Sequence, residues 1–256
     1  MTGMIWLDAA ACLGALHVIG PIVVRFTLRF SASCRPNKVF LEDLPLKVAD
    51  VFRQRMPELK NLGFEHLGNY DCGSLTPETR SYLAYFANRN TNDFASVCAL
   101  VTPKKTMSYL EFSTSFANGL NLETNTNATV PLTPESPSHR VWRFPKIGNA
   151  EALYRLHRRL LQKYAPRLWP LEATSSHELD RYVSVIENYG PRHRRIGYMR
   201  LSEDGQWYEL TWKGACLMTW RGLWPTSMIC RLLQRRAMQG ELEGLQVRGT
   251  TAVQKA

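Results

Sequence analysis

The stretch FASVCALVTPKKTMSYLEFSTSFANGLNLETN, residues 94–125, decides the fold class. Its three segments are rich in aromatic and β-branched residues, and the clusters PKK and ANG between them predict strands joined by short turns. In the middle segment Leu110 and Phe112 alternate with Tyr109 and Glu111, so the two pairs are expected on opposite faces of a sheet. Turns this short leave no room for a crossover, and the strands are therefore predicted to pair antiparallel.

The same pattern extends to both sides of this stretch. Two more strands are predicted upstream, GFEHLGNY at 63–70 and SYLAYFA at 81–87. Residues 43–60 have the apolar spacing of an amphipathic helix, and NAEALYRLHRRLLQKYAP predicts a second one with Asn149 as its N-cap. The four prolines of residues 127–148 predict an extended connection. Helix, meander and helix together predict an α+β domain with helices on one face of an antiparallel sheet.

The N-terminal segment is the most apolar part of the chain. Residues 4–24 are long enough to cross a hydrocarbon core, which takes about 20 residues. No Lys or Arg precedes this segment, whereas four basic residues follow it between positions 25 and 38. The charge asymmetry predicts an uncleaved single-pass transmembrane helix, with the C-terminal region in the cytoplasm. The alternative is a buried helix of a soluble domain.

The C-terminal third predicts a helix, a hairpin and another helix. SSHELDRYVSVIENYG has a helical apolar face with Gly190 as its stop, and GYMRLSEDGQWYELTW is a hairpin with Asp204 and Gly205 at the turn. The predicted domains are a transmembrane anchor at 1–30, the α+β domain at 36–168, the helix–hairpin–helix region at 169–247 and a flexible tail at 248–256.

The stretch TWKGACLMTWRGLWP, residues 211–225, carries three tryptophans on one broad side of a predicted helix, with cations beside them. Indole rings suit the boundary between lipid headgroups and acyl chains, and cations suit anionic lipid. Membrane contact is therefore predicted for Trp212, Lys213, Trp220, Arg221 and Trp224. The alternative is that the tryptophans pack against the main domain.

The basic loop before this stretch supports a different interpretation. GPRHRRIGYMRLSEDGQWYELTWKGA resembles the end of a winged-helix domain, in which a recognition helix is followed by a two-stranded wing. The resemblance implies phosphate contacts by four arginines: Arg192, Arg194, Arg195 and Arg200. The net charge of +10 and the pI near 9.5 favour anionic partners of either kind, lipid or nucleic acid.

Catalytic signals are weak. Cys72 lies next to Asp71 and six residues from His66, but sequence shows neither a base in reach of the thiol nor an oxyanion hole. Glu111 and Glu123 lie on neighbouring predicted strands and are the one carboxylate pair that could share a cleft. The sequence has no zinc-ligand spacing and no phosphate-binding loop. We therefore predict no catalytic residue, no metal and no cofactor.

The order of motifs from residue 4 to about 245 resembles a set of uncharacterised, membrane-anchored bacterial proteins. The residues that carry it are YLEFSTSFANGLNLETNTN, LYRLHRRLL and GYMRLSEDGQWYELTWKGACLMTWRGLWP. This resemblance implies the architecture and no activity. The sequence thus predicts a membrane-anchored, cytosol-facing binding, sensing or scaffold protein, with a lipid bilayer and a protein as partners. The alternative is a membrane-tethered nucleic-acid-binding protein.

Overall fold

The computed structural model describes residues 2–33, 36–129, 131, 133–134, 136–172 and 178–253. The helices are α1 (Thr2–Thr27), α2 (Leu46–Asn61), α3 (Ala150–Tyr164), α4 (Glu178–Glu187), α5 (Tyr189–Arg195), α6 (Trp212–Gly222) and α7 (Thr226–Val253). The strands are β1 (Arg29–Ser31), β2 (Asn37–Val39), β3 (Glu65–Thr76), β4 (Thr79–Asn88), β5 (Asp93–Val101), β6 (Thr106–Ser115), β7 (Asn121–Asn125), β8 (His139–Arg143), β9 (Met199–Leu201) and β10 (Trp207–Leu210). The predicted α+β class is confirmed.

A seven-stranded sheet runs in chain order from β2 to β8. All five strands of the predicted meander, β3 to β7, are present, and each pairs antiparallel with the next strand of the meander. Leu110 and Phe112 are buried in the main core, and Glu111 points to the other face, as the alternation predicts. The predicted connection after β7 contains β8, which pairs parallel to β7. Its position at the edge of the sheet was not expected from a proline-rich segment.

Helices α2 and α3 pack on one face of this sheet, as predicted. Val48, Phe52 and Leu59 of α2 and Leu153 and Leu160 of α3 are fully or almost fully buried against it. The predicted N-cap is confirmed, because the Asn149 side chain accepts a hydrogen bond from the amide of Ala152 at 3.1 Å. The sheet face opposite these two helices is therefore open to other parts of the chain.

A buried polar chain ties α3 to the sheet. Asp93 at the start of β5 is completely buried and accepts hydrogen bonds from Thr114 at 2.6 Å, from the Tyr154 hydroxyl at 2.8 Å and from Arg158 at 2.9 Å. His157, also completely buried, bridges Thr114 at 2.9 Å and Thr124 at 3.0 Å. These bonds satisfy polar groups that would otherwise be costly inside the core.

A second, three-stranded sheet joins the two ends of the chain. Its order is β1-β10-β9, so the strand after the N-terminal helix pairs with the predicted hairpin. The hairpin turn is confirmed, with Gly205 at a positive φ of 69° and Asp204 accepting hydrogen bonds within the turn. Gly190 does not end a helix as predicted. It lies inside α5, where a Cβ atom would come within 2.0 Å of the Tyr208 ring, so only glycine permits this contact.

The N-terminal segment is helical, but no helix in the described part of the chain is long and apolar enough to cross a membrane. The predicted transmembrane helix is therefore not supported. The C-terminal half of α1 lies against α6, and a Cβ on Gly20 would lie 2.6 Å from the side chain of Thr219. This side of α1 is covered by protein.

Candidate functional site

The predicted tryptophans lie on the protein surface. Helix α6 runs from Trp212 to Gly222. Thr211 caps it, because its hydroxyl oxygen accepts a hydrogen bond from the amide of Gly214. Trp224 lies beyond α6, and α7 restarts at Thr226. The exposed fractions of Trp212, Trp220 and Trp224 are 52%, 58% and 59%, so none of them is buried in a core.

Helix α1 provides the other side of this surface. The ring of His17 meets Trp220 edge-on with centroids 5.5 Å apart, and Phe26 meets Trp212 in the same way at 6.3 Å. The Arg25 guanidinium lies 5.0 Å from the Trp212 ring and donates a hydrogen bond to the carbonyl of Leu210. Trp212 and Trp220 are thus in contact with α1, while more than half of each side chain stays exposed.

We define the apolar surface as the exposed large apolar side chains of α1, α6 and α7, together with Trp224 between α6 and α7. They are Leu16, Val18, Ile19, Ile22, Val23 and Phe26 of α1, Trp212 and Trp220 of α6, Trp224, and Met228, Ile229, Leu232 and Leu233 of α7. Each is at least 44% exposed. Large contiguous patches of this kind are rare on monomeric soluble proteins, and they mark sites that contact a membrane or another protein.

The predicted cations of this surface have different positions. Lys213 donates a hydrogen bond to the carbonyl of Ile196 at 3.1 Å and lies 4.8 Å from the Tyr198 ring, so its charge is engaged by the protein. Arg221 is half-buried. Helix α7 adds exposed Arg235 and Arg236 and places Arg231 and Arg235, with Arg143 and Lys146, around a second cavity of about 530 Å³. The cationic contribution near the apolar surface therefore comes mainly from α7.

The four arginines of the winged-helix interpretation differ in their hydrogen-bond partners. Arg194 and Arg195 are exposed on the short helix α5. Arg200 pairs with Glu209 at 2.9 Å, and Arg192 reaches the carbonyl of Pro134 at 3.4 Å. Phosphate binding by these residues stays a prediction.

A cavity of about 570 Å³ lies between the open face of the large sheet and the three-stranded sheet. Phe30, Tyr189 and Tyr208 line it from the smaller sheet and α5. The large sheet contributes the outward side chains of β4 to β8, which include both Glu111 and Glu123. The structure thus brings the predicted carboxylate pair together in one cleft.

The two carboxyl groups are held in different states. Burial and the neighbouring Glu123 charge raise the pKa of Glu111 well above its usual range, which favours its protonated form. Burial alone would raise the pKa of Glu123 too, but hydrogen bonds from His139 and Asn125 and the His139 charge lower it instead. His139 donates from Nε2 to Glu123 at 2.8 Å. Glu123 is therefore the ionised member, and it accepts a hydrogen bond from Glu111.

The cysteine candidate is not assembled as a nucleophile. Cys72 is buried in the wall of the cavity, whereas His66 hydrogen-bonds Asn69 at 3.0 Å and packs against the Phe86 ring. Burial and the nearby Glu111 raise the pKa of the Cys98 thiol to about 12, which keeps it protonated. No three His, Cys, Asp or Glu side chains in the described part could hold a metal ion together.

His139 and Arg143 are site residues that the sequence analysis missed. They face the cavity from β8, whose pattern HRVWR alternates His139, Val141 and Arg143 with Arg140 and Trp142. That period of two was the available signal. No family model, no curated protein and no solved structure matches this chain.

Proposed function

We propose that this chain is a binding protein that attaches to the cytosolic surface of a membrane through the apolar surface of α1, α6 and α7. The observation that carries the proposal is the exposure of thirteen large apolar side chains, twelve on three adjacent helices and Trp224 between two of them. Helices that lie in the membrane interface bury such a face at the level of the headgroups, and their binding strength grows with the apolar area that they bury.

The chemistry of the surface supports lipid as the partner. Its tryptophans are half-exposed at the side of the protein where α1 and α6 meet, which suits rings that sit between headgroups and acyl chains. Arg235 and Arg236 are exposed close to Leu232 and Leu233 on α7, and the chain carries a net charge of +10. The cytosolic leaflet is the anionic one, so this charge favours it.

The double variant Trp220→Ala/Trp224→Ala tests this proposal. We expect it to bind vesicles of phosphatidylcholine with about one third phosphatidylglycerol at least about tenfold more weakly, because each lost indole removes apolar area from the lipid contact. The measurement is co-sedimentation of the full chain with these vesicles. Trp169→Ala is the matched control, since Trp169 is 87% exposed but belongs to none of the three helices.

Two results would contradict the proposal. One is equal sedimentation of the double variant and the wild type, which would point to a protein as the partner of the apolar surface. The other is that, at low salt, the wild type binds vesicles of phosphatidylcholine alone as tightly as it binds the anionic vesicles. The cationic residues would then contribute nothing to the binding. Salt at about 1 M, where charges are screened beyond about 3 Å, is expected to weaken the binding to anionic vesicles.

A further inference from the structure

The cavity on the open face of the large sheet is a second site, and it is independent of the apolar surface. Its polar side chains come from three neighbouring strands in register. Ser113 lies opposite Glu123, Glu111 opposite Asn125, Asn121 beside His139, and Asn125 beside Arg143. All of these side chains point into the cavity because they share one face of the pleat.

This register arranges the polar groups as a grid. Neighbouring strands lie about 4.8 Å apart, and same-face residues along a strand are about 7 Å apart. Three strands with two or three positions each therefore present hydrogen-bonding groups over a patch roughly 10 Å across, which is comparable with a sugar ring and its hydroxyl groups.

The grid offers both donors and acceptors. Glu123 is a carboxylate with acceptor capacity beyond its bonds to His139 and Asn125, and Glu111 is a neutral acid. The side-chain oxygen of Asn121 is buried and accepts no hydrogen bond from any described residue. A buried polar atom without a partner is costly, and a donor group of a bound molecule would supply that partner.

Charge and shape restrict what this molecule can be. The negative charge of Glu123 is already offset by two basic side chains of the cavity, His139 at 2.8 Å and Arg143, so the site does not require a charged ligand. Aromatic rings stand around the grid, among them Tyr85 and Phe94, which stack with centroids 5.6 Å apart, and Tyr189 and Tyr208 opposite them. The cavity volume of about 570 Å³ lies in the range of small-molecule sites.

We propose that this cavity binds a small uncharged molecule with neighbouring hydroxyl groups on a ring and an apolar or aromatic part. Glu123, Glu111 and Asn121 accept or share protons with the hydroxyls, and Arg143 donates to their oxygens. Hydroxyl groups fit because each is both a donor and an acceptor, as the mixed grid requires. The aromatic walls cover the apolar part.

Binding is tested with the full chain and three neutral probes: p-nitrophenyl β-D-glucopyranoside, p-nitrophenyl α-D-mannopyranoside and adenosine. Isothermal titration is expected to show saturable binding of at least one probe at concentrations up to about 10 mM. Phenethylamine, a cation with an aromatic ring, is expected to bind more weakly than the neutral probe that saturates. The proposal is overturned if no probe saturates or if phenethylamine binds most tightly.

Two variants locate the bound probe. Glu123→Gln is expected to raise the Kd at least about tenfold, because hydrogen bonds to a carboxylate are roughly twice as strong as neutral ones. Asn121→Ala is expected to raise it about fivefold, and it keeps the fold because the side-chain oxygen has no partner among the described residues. Glu65→Gln, an exposed site on β3, is the control. If Asn121→Ala binds the probe as tightly as Glu65→Gln does, with unchanged Tm, the site lies elsewhere and the proposal fails.

Discussion

Replacing Asp93 with alanine is expected to lower the free energy of unfolding by about 3 to 5 kcal/mol. The carboxylate is completely buried and is the acceptor for Thr114, Tyr154 and Arg158. Without it, two hydroxyl groups lose an acceptor inside the core and the partly exposed Arg158 loses its buried counter-charge. Because two of the three donors come from α3, the loss also loosens that helix on the sheet. Urea unfolding followed by circular dichroism measures the change.

Asp50→Ala is the matched control for this variant. Asp50 pairs with Arg53 at 2.9 Å, but both side chains are at least 50% exposed, so the pair contributes less than about 1 kcal/mol. Equal urea midpoints for Asp93→Ala and the wild type would show that the buried chain does not hold α3 on the sheet.

The parts of the fold that were predicted from sequence depend on local patterns. Strands β3 to β6 are nine or more residues long, and short turns join β3 to β7, so the pairing of these strands follows from chain order. The pairing of β1 with β10 joins residues about 180 positions apart, such as Phe30 and Tyr208. Both strands are only three or four residues long, and no local period marks such a pair.

The same limit applies to the two sites. The cleft shared by Glu111 and Glu123 was predicted because the two residues lie on consecutive strands, whereas His139 and Arg143 depend on a parallel strand that the prolines concealed. The tryptophan helix was predicted from its spacing. Exposure of its tryptophans was one of two interpretations that fit the sequence equally, because burial depends on how α1 packs against α6.

His157 illustrates how a buried residue acquires a defined protonation state. Thr114 donates its single hydroxyl proton to Asp93, so its oxygen accepts the Nε2 proton of His157, and Thr124 donates to Nδ1. A neutral imidazole satisfies both bonds. Burial lowers the pKa of His157 to about 4, with the Arg158 charge acting in the same direction and the Asp93 charge opposing it.

This lowered pKa predicts a loss of stability in acid. The unfolded chain takes up the His157 proton below about pH 6.5, whereas the folded protein does so only near pH 4. The stabilisation is thus complete above pH 6.5 and is lost as the pH falls toward 4, by about 3 kcal/mol in total. In His157→Gln, whose amide offers an NH2 donor group and an oxygen acceptor, the free energy of unfolding is expected to fall less than in the wild type between pH 7 and pH 4, by about 3 kcal/mol.

Urea unfolding of the wild type and of two variants at a series of pH values tests this expectation. His66→Gln is the control, because partial burial also lowers the pKa of His66 but its side chain is exposed, so this variant shows how much the loss of a less buried histidine changes the pH dependence. Carboxylates that titrate in the same range are common to all three proteins, so the difference between the curves isolates the histidine. Parallel curves for His157→Gln and the wild type would mean that His157 becomes protonated in the folded protein at the same pH as in the unfolded chain, near 6.5. In that case Nδ1 could not accept from Thr124 below that pH, and the hydrogen-bond chain that ties α3 to the sheet would have to be oriented differently.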